Sequence, residues 1–110
     1  MNLQCNMILR SAVQEFGEVP QLVMTMEESA ELTQALSKYL RGGNNQDNIA
    51  EEMADVYIML RQLEIIFNNE SLVEDYIDKK IKRLSNRIQN HKENKDTPET
   101  WEQLTLEGFD

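Results

Sequence analysis

The chain is short of most residues that would fix its chemistry at once. One cysteine, Cys5, cannot form an internal disulfide, and such usage fits a reducing compartment. One histidine, His91, falls short of the Glu-x-x-His pairs of di-iron carboxylate bundles, which argues against a metal-loaded oxidase. Two prolines and four glycines are all that punctuate 110 residues. No apolar run reaches membrane-spanning length and no signal-peptide core opens the chain, so a soluble, cytoplasmic protein is expected. Basic residues are scarce too, 11 against 20 acidic ones, for a net charge of −9. That balance argues against stable nucleic-acid binding and against a membrane surface, and an anionic ligand would need metal cations or a local basic cluster.

What is present is helical pattern. Met7, Ile8, Ala12, Val13 and Phe16 make a short apolar stripe closed by Gly17. Pro20 suits the first turn of a second helix reaching about Arg41. The loop "RGGNNQDN" follows, with Asn45 or Asp47 available to cap a third helix that runs to Phe67. "NNES" breaks the pattern, and Ser71 with Glu74 reads as a capping box opening a fourth helix to about Asn90. Ile77, Ile81, Leu84 and Ile88 recur along it at near-heptad spacing. No window alternates as a strand would. The expected class is all-α, a four-helix bundle-like core over residues 1–92, with a polar tail over 93–110 in which Thr97 and Pro98 could start a short helix.

Within this pattern, "MEESAELTQALSKYL" (Met26 to Leu40) sets three carboxylates in an otherwise apolar helix. At about 100° per residue, Leu32 lies about 40° from Glu28, and Tyr39 and Ala35 each about 20° from it. Glu28 is therefore aimed at the core, Glu31 sits at the edge of the apolar arc, and Glu27 faces solvent beside Gln34 and Lys38. "EEMADVYIMLRQLEIIF" (Glu51 to Phe67) repeats the arrangement. Glu52 takes the place of Glu28, Asp55 that of Glu31 and Glu51 that of Glu27, while Val56, Met59 and Leu63 stand for Leu32, Ala35 and Tyr39. Two helices joined by a short loop pack antiparallel, so Glu28, Glu31, Glu52 and Asp55 converge. Four such carboxylates cannot all stay ionised unaided; some protonate, pair with a cation or bind metal. Oxygen-only ligands suit Mg²⁺, with Mn²⁺ as a substitute.

Glu28-x-x-Glu31 followed by Glu52-x-x-Asp55, within "EESAELTQALSK" and "NIAEEMADVYIMLRQL", resembles the MazG-like all-α nucleoside triphosphate pyrophosphohydrolases. The likeness covers the central helices, the fourth helix loosely and the tail hardly at all. The related phosphoribosyl-ATP pyrophosphatases usually carry a histidine soon after the ExxD, and "DVYIML" has none. The resemblance implies Mg²⁺-dependent cleavage of a (d)NTP to the monophosphate and pyrophosphate, a house-cleaning role in the nucleotide pool, with these four residues as metal ligands and catalytic groups. A non-catalytic helical binding or regulatory module with a vestigial acidic cluster is the alternative.

Other residues carry weaker signals. Lys80, Arg83 and Arg87 fall at i, i+3 and i+7, a stripe that could hold substrate phosphates or could simply be solvated. Lys38, Arg41 and Gly42-Gly43 are weaker candidates for holding phosphates, and "RGG", too short for a phosphate-loop signature, reads first as a plain turn. Phe16, Tyr39, Tyr57 and Trp101 could each stack on a base, though core or interface positions are expected for them. Ala54, Ile58 and Ile65 make the third helix apolar nearly all round, which calls for a homodimer or homotetramer. In the tail, "QLTLEGF" resembles, with altered spacing, short peptides that dock on bacterial sliding clamps; packing of Trp101, Leu104 and Leu106 on a neighbouring helix is the expected role.

Overall fold

The computed structural model describes residues 1–94, and these are all-α. The tail expectations on Thr97, Pro98, Trp101, Leu104 and Leu106 lie outside the described residues. Helix α1 spans Leu3–Phe16, α2 Glu18–Leu40, α3 Gln46–Phe67 and α4 Glu70–Glu93. None of them is long and apolar enough to cross a membrane. Two compact units are distinguished, one of residues 1–69 and one beginning at Glu70.

Each boundary in the first unit has a local cause. The Asn2 side chain accepts a hydrogen bond from Cys5 N at 2.8 Å, which occupies one of the donors a helix start leaves unpaired. Gly17 alone separates α1 from α2. Its φ of +90° is one that side-chain-bearing residues rarely adopt, and its N–H closes α1 on Val13 O at 2.9 Å. Pro20 follows in the first turn of α2, where its missing N–H costs no helical bond. At the other end of α2, Arg41, Gly42 and Gly43 donate back to carbonyls of the last turn. This confirms the turn expected there. A Cβ on Gly43 would come within 2.9 Å of Lys38 Cγ and of Lys38 O, so the loop lies close against the Lys38 stem.

Two expectations about helix starts need correction. Asn45 stands at the N-cap of α3, but its side chain does not cap the helix. Instead it is buried and donates to Ala35 O at 3.0 Å and to Asn48 Oδ1 at 3.2 Å, fastening the loop onto α2. The predicted Ser71 capping box does not open α4 either. Asn68 turns the chain in the left-handed region (φ 49°) and only Asn69 intervenes before Glu70, which leaves Ser71 already inside the helix.

The core of the first unit is small. Leu9 of α1, Ala35 of α2 and Met59 of α3 are buried, together with the polar Gln21, Asn45 and Gln62. Arg61 ties α3 to α1 through Asn6 Oδ1 at 3.1 Å and pairs with Glu64 at 2.8 Å. Much apolar surface stays outside. Met53, Tyr57, Leu60 and Phe67 form an exposed stripe along α3, with Ile58 exposed as well. The second unit is amphipathic in its own right. Ile77, Ile81 and Ile88 are exposed on α4, Leu84 is half-buried, and Lys79 sits over the Tyr76 ring at 5.6 Å.

Candidate metal centre

The helical phase read from the sequence is the phase observed. Glu27 and Glu51 are exposed, while Glu28, Glu52 and Asp55 are half-buried and Glu31 is exposed at the rim. The two helices meet in an antiparallel register: Glu28 is within hydrogen-bond reach of Asp55, and Glu31 of Glu52. Each pairing brings an oxygen of one carboxyl onto an oxygen of another, which is stable only with a proton or a cation between them. One oxygen each from Glu28, Glu31 and Glu52 lie within 4.8 Å of one another. Asp55 joins this trio through Glu28.

The electrostatics follow from that crowding. Desolvation is the largest cause raising the Glu28 pKa above the ordinary 4.5, followed by the charges of Glu31 and Asp55, the hydrogen bond to Asp55 and the charge of Glu52. Glu52 is raised in the same way, by desolvation first, then Glu31 and Asp55, the hydrogen bond to Glu31 and the charge of Glu51. In both residues Oε2 is closed off from solvent and finds no N–H or hydroxyl donor among the described residues. The other Glu52 oxygen receives Asn48 Nδ2 at a long 3.5 Å, the end of a chain running from Ala35 O through Asn45 and Asn48. Loop closure and carboxylate placement are thus one hydrogen-bonded assembly.

The donor set fits a hard divalent cation. It is all oxygen, and octahedral Mg²⁺ at about 2.1 Å from its ligands places their oxygens roughly 3–4 Å apart. Small side-chain rotations span the difference from the observed spacing. A cation there would also satisfy the two Oε2 atoms that the protein leaves without donors.

Sequence reasoning placed Lys80, Arg83 and Arg87 on one stripe, and they do share α4; Lys80 and Arg87 are half-buried and Arg83 exposed. They belong to the second unit, whereas all four carboxylates belong to the first. Tyr39, placed by the wheel on the inward arc, is instead exposed. Asn45 tucks against Ala35 and α3 starts at Gln46, so no turn of α3 faces the last turn of α2. Four residues near the site were overlooked or given little weight: Gln21, Gln62, Asn48 and Lys38. A signal existed for three of them. Gln21 precedes Glu28 by seven residues, Gln62 follows Asp55 by seven and Lys38 follows Glu31 by seven, so each lies on the stripe of its carboxylate.

Comparison of the chain with protein-family models, with curated proteins and with solved structures gives no match.

Proposed function

We propose that the protein is a Mg²⁺-dependent nucleoside triphosphate pyrophosphohydrolase, cleaving a (d)NTP to the monophosphate and pyrophosphate on a helical bundle. One observation carries this reading: Glu28 and Glu52, from two antiparallel helices, meet with Glu31 within 4.8 Å, each with a desolvated and unpartnered oxygen. Structural ion pairs do not account for this: among the described residues, the charges that act on Glu28 and Glu52 are those of other carboxylates. The motif pair Glu28-x-x-Glu31 and Glu52-x-x-Asp55 supports the MazG-like likeness.

When bound, Mg²⁺ offsets the charge of the triphosphate and lowers the pKa of a water, the two demands of anhydride hydrolysis. Glu28, Glu31, Glu52 and Asp55 would hold the ion, and a carboxylate oxygen left free of it would take the proton of the attacking water. Asn48 holds Glu52 in place. Pyrophosphate release from a panel of ordinary and damaged nucleoside triphosphates tests the proposal. Activity with Mg²⁺ that chelation abolishes is the expected result; no release from any of them refutes it.

The assembly belongs to the same proposal. A first unit with three buried apolar side chains and an exposed Met53-Tyr57-Leu60-Phe67 stripe on α3 is completed by a second copy, as a homodimer or homotetramer. Light scattering at micromolar concentration reads this directly, and a monomeric mass overturns it.

A further inference from the structure

The carboxylates are flanked by two recesses of opposite character. On the Glu28–Asp55 side, α1, α2 and α3 border an open apolar recess lined by Ala12, Phe16, Met24, Ile58 and Met59. Two amides, Gln21 and Gln62, line it as well, and both are almost wholly buried, at 3% and 5% exposure. Gln62 Oε1 has no hydrogen-bond partner among the described residues, although an unpaired amide oxygen among apolar groups is costly. On the Glu31–Glu52 side the recess is polar, lined by Gln34, Lys38 and Asn48 together with Ala35.

We propose that the apolar recess takes the base of a nucleotide, with Gln62 accepting a hydrogen bond from an N–H on the base edge, and that the phosphates run across the carboxylates towards Lys38. This deepens the pyrophosphohydrolase reading and rests on it for the phosphate half. A base is flat, largely apolar on its faces and polar only at its edge. That matches apolar walls with a few fixed polar groups. Every common base offers at least one edge N–H to an acceptor, and Gln62 supplies an acceptor that no other described residue occupies. The direction follows from which carboxylates each recess shares. Glu28 and Asp55 border the base, whereas Glu31 and Glu52 border the recess holding Lys38. Lys38 sits two turns beyond Glu31, lines that recess and has its Cγ beside Gly43, so the residue stands at the far end of the row. It suits the terminal phosphates, as a point charge on a flexible stem.

The six methionines make the test selective, because only Met24 and Met59 line the recess. With methyl-labelled methionine, metal-free protein titrated with nucleosides should show shifts at Met24 and Met59 and none at Met7 or Met53. Inorganic tripolyphosphate with Mg²⁺ should leave the recess methyls in place. Gln62→Leu should abolish the nucleoside shifts and, in the pyrophosphate assay, reduce discrimination among bases about tenfold. Inhibition by tripolyphosphate should stay unchanged in that variant, and its melting temperature should hold or rise, since the unpaired oxygen is gone. Lys38→Gln should weaken every nucleotide and tripolyphosphate by the same factor and leave base preference intact. Nucleosides that shift no recess methyl overturn the base site even if pyrophosphate release is strong. Nucleoside shifts without pyrophosphate release leave the base site standing and sink the reaction. A Lys38→Gln variant with altered base preference overturns the direction.

Discussion

The two ends of the α2–α3 seam share one backbone geometry and opposite chemistry. Towards α1 the facing residues are Glu28 with Asp55, then Met24 and Met59, with Phe16 closing the recess. Towards the loop they are Glu31 with Glu52, then Ala35 and Asn48, with Lys38 beyond. Antiparallel helices with inward positions every three to four residues generate both ends, so the fold alone does not distinguish them. The difference comes from what borders each end. The first is bordered by a third helix, through Ala12 and Phe16; the second lies beside a loop fastened by Asn45. Burial acts on both: it raises the pKa of Glu28 at one end and of Glu52 at the other, with desolvation the largest cause each time.

The largest expected effect comes from neutralising either end. Glu28→Gln or Glu52→Gln should remove pyrophosphate release, each by at least a hundredfold, because each deletes an ionisable oxygen donor from the trio. Glu27→Gln, one residue away and exposed, should retain activity. Thermal melts sharpen the contrast. Mg²⁺ should raise the melting temperature of the wild type and of Glu27→Gln, since it binds the folded site preferentially, and raise the two inward variants much less. A dead Glu27→Gln beside an active Glu28→Gln would mean that the helical phase is wrong.

A smaller effect separates charge from packing. With folded-state pKa values raised above 4.5, Glu28 and Glu52 hold protons in the folded protein that the unfolded chain has already released. Stability of the metal-free protein therefore falls as pH rises from about 4.5 through the raised values, then levels off once both states are ionised. The difference in melting temperature between wild type and Glu28→Gln should widen over that window and stay constant above it. With Mg²⁺ the trend inverts, because ligation needs the ionised forms. A difference that does not change with pH would place the Glu28 carboxylate in water.

How much of this was written in the sequence depends on the residue. The phase of Glu28, Glu52 and their exposed neighbours could be read from a wheel, because one helical period fixes them all. The same wheel puts Gln21 and Gln62 on the stripes of Glu28 and Asp55, but their depth could not be read from it. Hydropathy counts an amide as surface, and tertiary packing is what buries these two. The Ser71 capping box failed for a related reason: S-x-x-E describes a helix start only if the chain has not already turned, and Asn68 turns it first. Tyr39 shows the limit of the wheel itself, which knows the face a residue occupies but not whether the facing helix extends that far.

The smallest effect tests what holds the loop end in place. Asn45→Ala removes the hydrogen bond to Ala35 O and the link to Asn48, and with it one buried oxygen, Oδ1, that has no partner. These act in opposite directions, so the net cost should be about 1 kcal/mol. For a domain of this size that corresponds to a fall of roughly 4–8 °C in melting temperature. Asn48→Ala, at an exposed residue whose bond to Glu52 spans 3.5 Å, should change stability by less than about 0.5 kcal/mol. Its effect belongs on Mg²⁺ affinity instead, because it frees Glu52 to rotate while leaving the loop fastened. Equal melting temperatures for Asn45→Ala and wild type would assign the loop to the backbone bonds of its turn, Gly43 N to Lys38 O at 3.0 Å among them. The loop end would then owe its shape to glycine rather than to asparagine.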